Sequence, residues 1–286
     1  DLVHVLTPEY VDSYPHSLAE RIRLLPNPAY LADVRVASRE RKERHRLLSA
    51  GRFAESAKQF KLLLRAFALL CERFPKWDLV ICGDGESLAD YQVLASKLGL
   101  DGRVSFPGMV EDMPERYSNS DIFCIPSRVE GFPMVVLEAH CFALPVVGFA
   151  ECSGTNEIVV HGENGYLAEE MTPECLAGYL EKLMSDTGLR QRMGERGKEM
   201  LDRYAPEKIY DAWEAMLVEA AKRKGRTRIQ EIEALDGELG ADTLAVKELL
   251  GRKHPFDRSS YLAMHKRLVS EGKASPFSEK EIAGFI

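Results

Sequence analysis

No uninterrupted apolar run in this sequence reaches the roughly 18–20 residues that a membrane-spanning helix requires, so a transmembrane helix is not expected. The opening residues, Asp1-Leu2-Val3-His4, carry no basic n-region. They are expected to be mid-chain sequence rather than a secretory leader. Positive charge is also in deficit. With 38 Lys and Arg against 45 Asp and Glu, the formal charge is −7, and a nucleic-acid partner is not expected, because phosphate binding needs a basic surface. The six cysteines (Cys71, Cys82, Cys124, Cys141, Cys152, Cys175) form no Cys-x-x-Cys pair, and most lie in apolar runs. They read as reduced thiols of a cytoplasmic protein rather than disulfides or zinc ligands. No internal repeat and no low-complexity tract is visible.

What is present is alternation. His45–Ala50 reads as a strand, and Phe60, Leu63, Leu64, Phe67 and Leu70 follow at helical spacing. Residues 78–82 form a β-rich run closed by Gly83-Asp84-Gly85, and Leu88–Leu98 is a helix ended by Gly99. Short strands are expected at Val104–Phe106, Ile122–Ile125 and Pro145–Gly148, with helices at Met113–Tyr117 and Met134–Phe142. Thr172-Pro173 and Ala205-Pro206 place proline at first helical positions of longer helices. Such alternation predicts an α/β fold, a doubly wound parallel sheet with helices on both faces. Ligands on these sheets bind at the carboxyl ends of strands, beside helix N-termini.

The flanks read differently. Leu2–Leu6 and Arg21–Leu25 are expected strands around a short helix at Glu9–Tyr14, before Pro26-Asn27-Pro28. Residues 1–27 therefore read as the last strand–helix–strand of a preceding domain, residues 28–220 as the main domain, and residues 221–286 as a helical extension or linker. Val34–Arg46 is rich in Arg and Glu, as in a solvated helix or linker. In the tail, 221–228 is basic, 229–250 and 261–269 are amphipathic, and Ser278 with Glu281 resembles a capping box.

Three elements at strand ends carry chemistry. The first is Pro126-Ser127-Arg128-Val129-Glu130-Gly131-Phe132-Pro133, running into the helix from Met134. Free N–H groups at that helix start favour an anion such as a diphosphate, and Gly131 lets backbone approach closely. Glu138 sits in the helix, which is apolar nearly all round and so expected to be buried. A carboxylate there needs a partner. Two readings stand open: an ion pair with an unseen cation, or hydrogen bonds from ribose hydroxyls. Glu130 reads either as a surface carboxylate or as an acceptor for sugar hydroxyls. The second element, Gly51-Arg52-Phe53…Lys58, places two cations where a diphosphate would be neutralised. The third, Gly83-Asp84-Gly85-Glu86, is a tight turn at the same edge.

Together these residues resemble glycosyltransferase family 4, whose members have the two-domain GT-B architecture. The resemblance runs from about Leu47 to Ala220. It takes in Gly51-Arg52…Lys58, 67–70, 75–85 through Gly83-Asp84-Gly85, 104–108, 121–127, the Glu-x7-Glu pair Glu130 and Glu138, 154–159, 164–167 and Trp213. It implies a Rossmann-like C-terminal half of GT-B that binds a nucleotide-diphosphate sugar, UDP- or GDP-linked. It implies no other cofactor and no metal, in keeping with the lack of an Asp-x-Asp motif.

The same resemblance implies residue roles. Arg52 and Lys58 would hold the diphosphate, with Gly51 beneath. Glu130 would contact the transferred sugar, and the backbone of Gly131, Phe132, Pro133 and Met134 the sugar or distal phosphate. Glu138 would bind the ribose, while Gly83, Asp84, Gly108, Met109 and Val110 would line the base pocket. Transfer with retention is implied, onto a glycan or lipid-linked acceptor held by an N-terminal domain nearly all absent from this sequence. Peripheral association with the inner membrane face is left open. A non-catalytic nucleotide-sugar-binding module, and another GT-B enzyme such as a sugar-nucleotide epimerase or a phosphorylase, remain the rival readings.

Overall fold

A computed structural model describes residues 2–30 and 43–223. Leu2–Trp213 forms one compact unit; of the second unit, which begins at Glu214, only the helical residues 214–223 are described.

In chain order the strands and helices are β1 (Val3–Val5), β2 (Ile22–Leu24), β3 (His45–Ala50), α1 (Glu55–Lys58), α2 (Phe60–Leu70), β4 (Trp77–Cys82), α3 (Leu88–Lys97), β5 (Val104–Ser105), α4 (Met113–Ser118), β6 (Ile122–Cys124), α5 (Met134–Cys141), β7 (Val146–Phe149), α6 (Thr155–Ile158), β8 (Gly165–Ala168), α7 (Pro173–Ser185), α8 (Thr187–Met200) and α9 (Pro206–Arg223). The main sheet has six strands in the order β5-β4-β3-β6-β7-β8. Every pairing is parallel, with Leu47 opposite Leu79 on one side and Ile122 on the other. This is the expected doubly wound α/β fold. The chain builds outward from β3 through β4 to β5. It then returns to the other side of β3 and builds outward again through β6, β7 and β8. Loops leaving β3 and β6 therefore diverge, and the crevice between their carboxyl ends is where such sheets bind ligands.

Why these strands form follows from their two buried faces. Leu47, Leu79, Ile81, Ile122 and Val147 belong to one core layer with Leu63, Phe67 and Leu180. Leu48, Val80, Phe123 and Val146 belong to the other, with Tyr117, Val136 and Leu137. Neighbours along a strand point to opposite faces, so a central parallel strand must be apolar throughout. Leu47, Leu48, Leu79, Phe123, Val146 and Val147 are all fully buried. Each such side chain contributes about 1.5–3 kcal/mol on leaving water. Helix α2 buries Phe60, Leu63, Leu64, Phe67 and Leu70, the stripe expected from their spacing.

Helix starts follow their capping residues. Thr172 accepts from the Cys175 N–H, Asp186 from Leu189 and Asp112 from Glu115, each satisfying an orphan N–H of a first turn. The structure also differs from expectation. The expected helix at Glu9–Tyr14 is a 3-10 turn over Pro8–Ser13, followed by a second over His16–Arg21. Both are too short and polar to bury a face. Between β1 and β2, a parallel pair, they complete a strand–turn–strand unit. The His4 ring packs tilted against Trp213, with centroids 4.6 Å apart. The expected strand 145–148 is shifted to Val146–Phe149. Helix α9 runs on to Arg223, where a linker was expected from residue 221. The expected tail helices and capping box, and most of the Val34–Arg46 stretch, lie outside the described residues.

Candidate functional site

The loop after β3 is laid against the loop after β4. The Gly51 N–H donates to the Cys82 carbonyl at 3.0 Å, Phe53 N–H to Asp84 at 2.8 Å, and Gly83 N–H to Gly108 at 2.9 Å. Three strand-end loops are thus tied into one floor. Gly83 is required there: its φ is +136°, and an added Cβ would lie 2.0 Å from the Gly51 carbonyl oxygen. Asp84 is exposed, and its Oδ1 accepts from the Gly85 N–H at 2.8 Å, so its carboxylate shapes the turn. Gly108 adopts φ +76°. Val110 is half-buried against the core, while Met109 is 79% exposed at the rim.

From that floor the chain rises into α1. Gln59, at φ 49°, breaks α1 from α2; a left-handed non-glycine residue costs about 1–2 kcal/mol. This break sets Lys58 at the last position of α1. The Lys58 stem lies over Gly51, since a Cβ there would meet its Cδ and Cε at 3.7 Å. Its Nζ donates to Glu130 Oε1 at 2.6 Å. The pair is mostly shielded, with side chains 23% and 11% exposed. Arg52 is exposed; its carbonyl accepts from the Ala54 N–H at 2.8 Å, and no hydrogen bond or ion pair joins its side chain to a described residue.

Glu130 is held from several sides. The neighbouring Arg128 N–H donates to the Ala57 carbonyl at 2.8 Å, binding the β6 loop to α1. Gly154, at φ +78°, lets the β7 loop press on this backbone, for a Cβ would lie 2.6 Å from Gly131 O and 3.0 Å from Glu130 O. Tyr10, from the 3-10 turn after β1, donates to the Glu130 carbonyl at 3.4 Å. Phe132 packs edge-on against Tyr204 at 5.6 Å and anchors the loop. Pro133 is the N-cap of α5, and no side chain caps that terminus. Its first N–H groups, at Met134 and beyond, therefore present the positive end of the helix dipole.

Beneath lies Cys152, fully buried, its sulfur accepting from Thr155 Oγ1 at 3.4 Å. Burial raises this thiol's pKa. All six cysteines are free, and four are buried.

Glu138 corrects an expectation. Helix α5 buries Val136, Leu137, Ala139, His140 and Cys141, but Glu138 is only half-buried. Its partner among the described residues is not a cation: the Tyr117 hydroxyl donates to Glu138 Oε2 at 2.7 Å. Neither the Lys58–Glu130 pairing nor the Tyr117 hydrogen bond was foreseeable from spacing alone. Both join residues from separate strand–helix units.

The site thus brings Lys58 and Glu130 together beside a helix N-terminus and a hydrogen-bonded glycine floor at the switch point of the sheet, with Arg52 on the same β3 loop as Lys58 and Glu138 farther along α5. That is a fold and edge suited to a phosphate-bearing nucleotide ligand. Residues 32–200, more than half of the chain, match the family described as glycosyl transferases group 1. The chain belongs to that family.

Over 175 residues it is 35% identical to an uncharacterized glycosyltransferase of Haemophilus influenzae, covering 61% of this chain and 49% of that one. The fold is shared with HepE (Alr3699) of Anabaena in complex with UDP. The TM-score is 0.68 at 22% identity, over 76% of this chain and 64% of that one. It is shared too with the C-terminal domain of the group 1 family protein LpcC from Francisella tularensis. There the TM-score is 0.54 at 24% identity, over 61% of this chain and 99% of that domain. The chain spans about half the length of curated relatives such as the Haemophilus protein.

Proposed function

We propose that this chain is the donor-binding half of a retaining glycosyltransferase that moves a sugar from a UDP- or GDP-sugar to a glycan or lipid-linked acceptor. The observation that carries this reading is the meeting of the β3 and β6 loops at the switch point, with Lys58 donating to Glu130 at 2.6 Å. Arg52 and Lys58 serve the diphosphate, and Glu130 the transferred sugar. Gly51 and the backbone at Gly131, Phe132, Pro133 and Met134 allow close approach of phosphate and sugar. Glu138 serves the ribose. Gly83, Asp84, Gly108, Met109 and Val110 border the base. The UDP held by the Anabaena protein supports the nucleotide class, and the near-complete match to a C-terminal domain supports the donor-half assignment.

The chemistry follows from charge. Transfer breaks the bond between the anomeric carbon and the phosphate oxygen, and negative charge grows on the leaving diphosphate. Two cations and a helix N-terminus at that edge stabilise the charge as it develops. No metal is invoked in this reading. The acceptor would be held by an N-terminal domain, in the cytoplasm and, for a lipid-linked acceptor, at the inner membrane face. The test is transfer by the complete protein, with the product examined by proton NMR. An anomeric configuration equal to that of the donor supports the reading; inversion, or hydrolysis-free epimerisation of the donor, overturns it.

A further inference from the structure

Tyr117 is fully buried in the last turn of α4, where Asp112 caps the helix start. Its ring lies nearly parallel to Phe142 at 5.5 Å and tilted against Phe123 at 5.8 Å. A phenylalanine would satisfy all of that packing. The hydroxyl is the distinctive part, and it donates to Glu138 Oε2 at 2.7 Å. Burial, reinforced by the Glu138 charge, holds the phenol's pKa well above its ordinary value, so the group stays a donor. A glutamate carboxylate turns almost freely about its last bond. One strong hydrogen bond from a rigid, buried ring removes that freedom. Glu138 Oε1, by contrast, accepts no hydrogen bond from a described residue.

We propose that Tyr117 is the positioning residue for nucleoside recognition: it ties down Oε2 of Glu138 and so presents Oε1 to the ribose hydroxyls of the donor. This rests on the proposed donor role of Glu138. A carboxylate fixed before the ligand arrives loses less freedom on binding. Tyr117 never touches the nucleotide, so its effect is confined to contacts made through Glu138.

The test is calorimetry of the full chain with UDP and with GDP, each beside its 2′-deoxy and 3′-deoxy forms. Wild type is expected to prefer the ribonucleotide. In Tyr117→Phe that preference should narrow by about three- to tenfold, the scale of one charge-assisted hydrogen bond made less well. Affinity for the deoxy forms and the melting temperature should hardly move. Glu138→Asp withdraws the carboxylate from the phenol by one methylene and should narrow the preference equally. If Glu138→Gln abolishes the preference while Tyr117→Phe keeps it whole, the proposal falls and the donor reading survives. If wild type binds neither nucleotide, or the preference survives Glu138→Gln, the donor reading falls and takes the proposal with it.

Discussion

Lys58 and Glu130 follow different strands, β3 and β6, and meet at 2.6 Å across the carboxyl edge of the sheet. A pair so placed does two things. It locks two strand-end loops together, and it sets an internal carboxylate in competition with any phosphate for the lysine. Glu130→Gln should free Lys58 and remove a negative charge from the diphosphate path. Titration with UDP or GDP should then show binding tightened by about threefold, on the scale of a partly exposed ion pair. The added affinity contributed by a donor's sugar should fall. Weaker nucleotide binding in Glu130→Gln would contradict the competition.

The two cations should separate by experiment. The Arg52 side chain is exposed without a partner among the described residues, whereas that of Lys58 is engaged. Arg52→Ala should leave the melting temperature unchanged and cut transfer by about 10²–10³, the usual effect of losing one charge-stabilising donor. Lys58→Ala should cut transfer similarly but also lower the melting temperature, because Glu130 is left mostly shielded without its cation. Transfer at the wild-type rate in either variant would remove that residue from the mechanism.

Much of this was legible in the sequence, and the reasons are physical. Strands β3, β4 and β6 are buried on both faces, so each appeared as a short run rich in apolar residues. Helix α2 showed its stripe because one face packs on the sheet and the other meets solvent. The family resemblance nominated the site residues, whose roles are proposed above; the glycine turn at Gly83 was readable because its φ of +136° demands glycine. Side-chain partners were not legible. Spacing within α5 revealed that Glu138 needed a donor, yet Tyr117 lies on α4, and only tertiary packing brings them together. The same holds for Lys58 and Glu130. The Glu9–Tyr14 segment misled because a short polar run carries no periodicity that separates a helix from a 3-10 turn.

Gly83 is a stability determinant of the site floor. A Cβ at 2.0 Å from the Gly51 carbonyl, on backbone at φ +136°, forces the β3 and β4 loops apart. Gly83→Ala should cost about 3 kcal/mol, or roughly 6–12 °C in melting temperature for a domain of this size. A change under about 2 °C on thermal denaturation would show that the loops are not held as described.

His140 makes stability depend on pH. It is buried in α5, and a Cβ at Gly197 would lie 2.3 Å from its Nδ1. That nitrogen is 3.2 Å from the Leu144 carbonyl, while Nε2 has no partner among the described residues. Burial pushes the imidazole pKa down to about 4. The folded state therefore prefers the neutral ring, while the unfolded chain takes up a proton near its usual pKa of about 6.5. This contribution to stability is complete above pH 6.5 and is lost as pH falls from there to about 4. In His140→Leu the melting temperature should fall less over that interval than in wild type. Parallel curves for the two proteins would contradict the assignment.

The most direct test of the donor site is calorimetric titration of the full chain against UDP- and GDP-sugars, repeated with Glu138→Ala. The account predicts one site on wild type for one of these nucleotide classes. It also predicts affinity at least about tenfold weaker in the variant, as expected for a lost charge-assisted hydrogen bond. Equal affinity in both proteins would contradict it, and so would no binding to wild type.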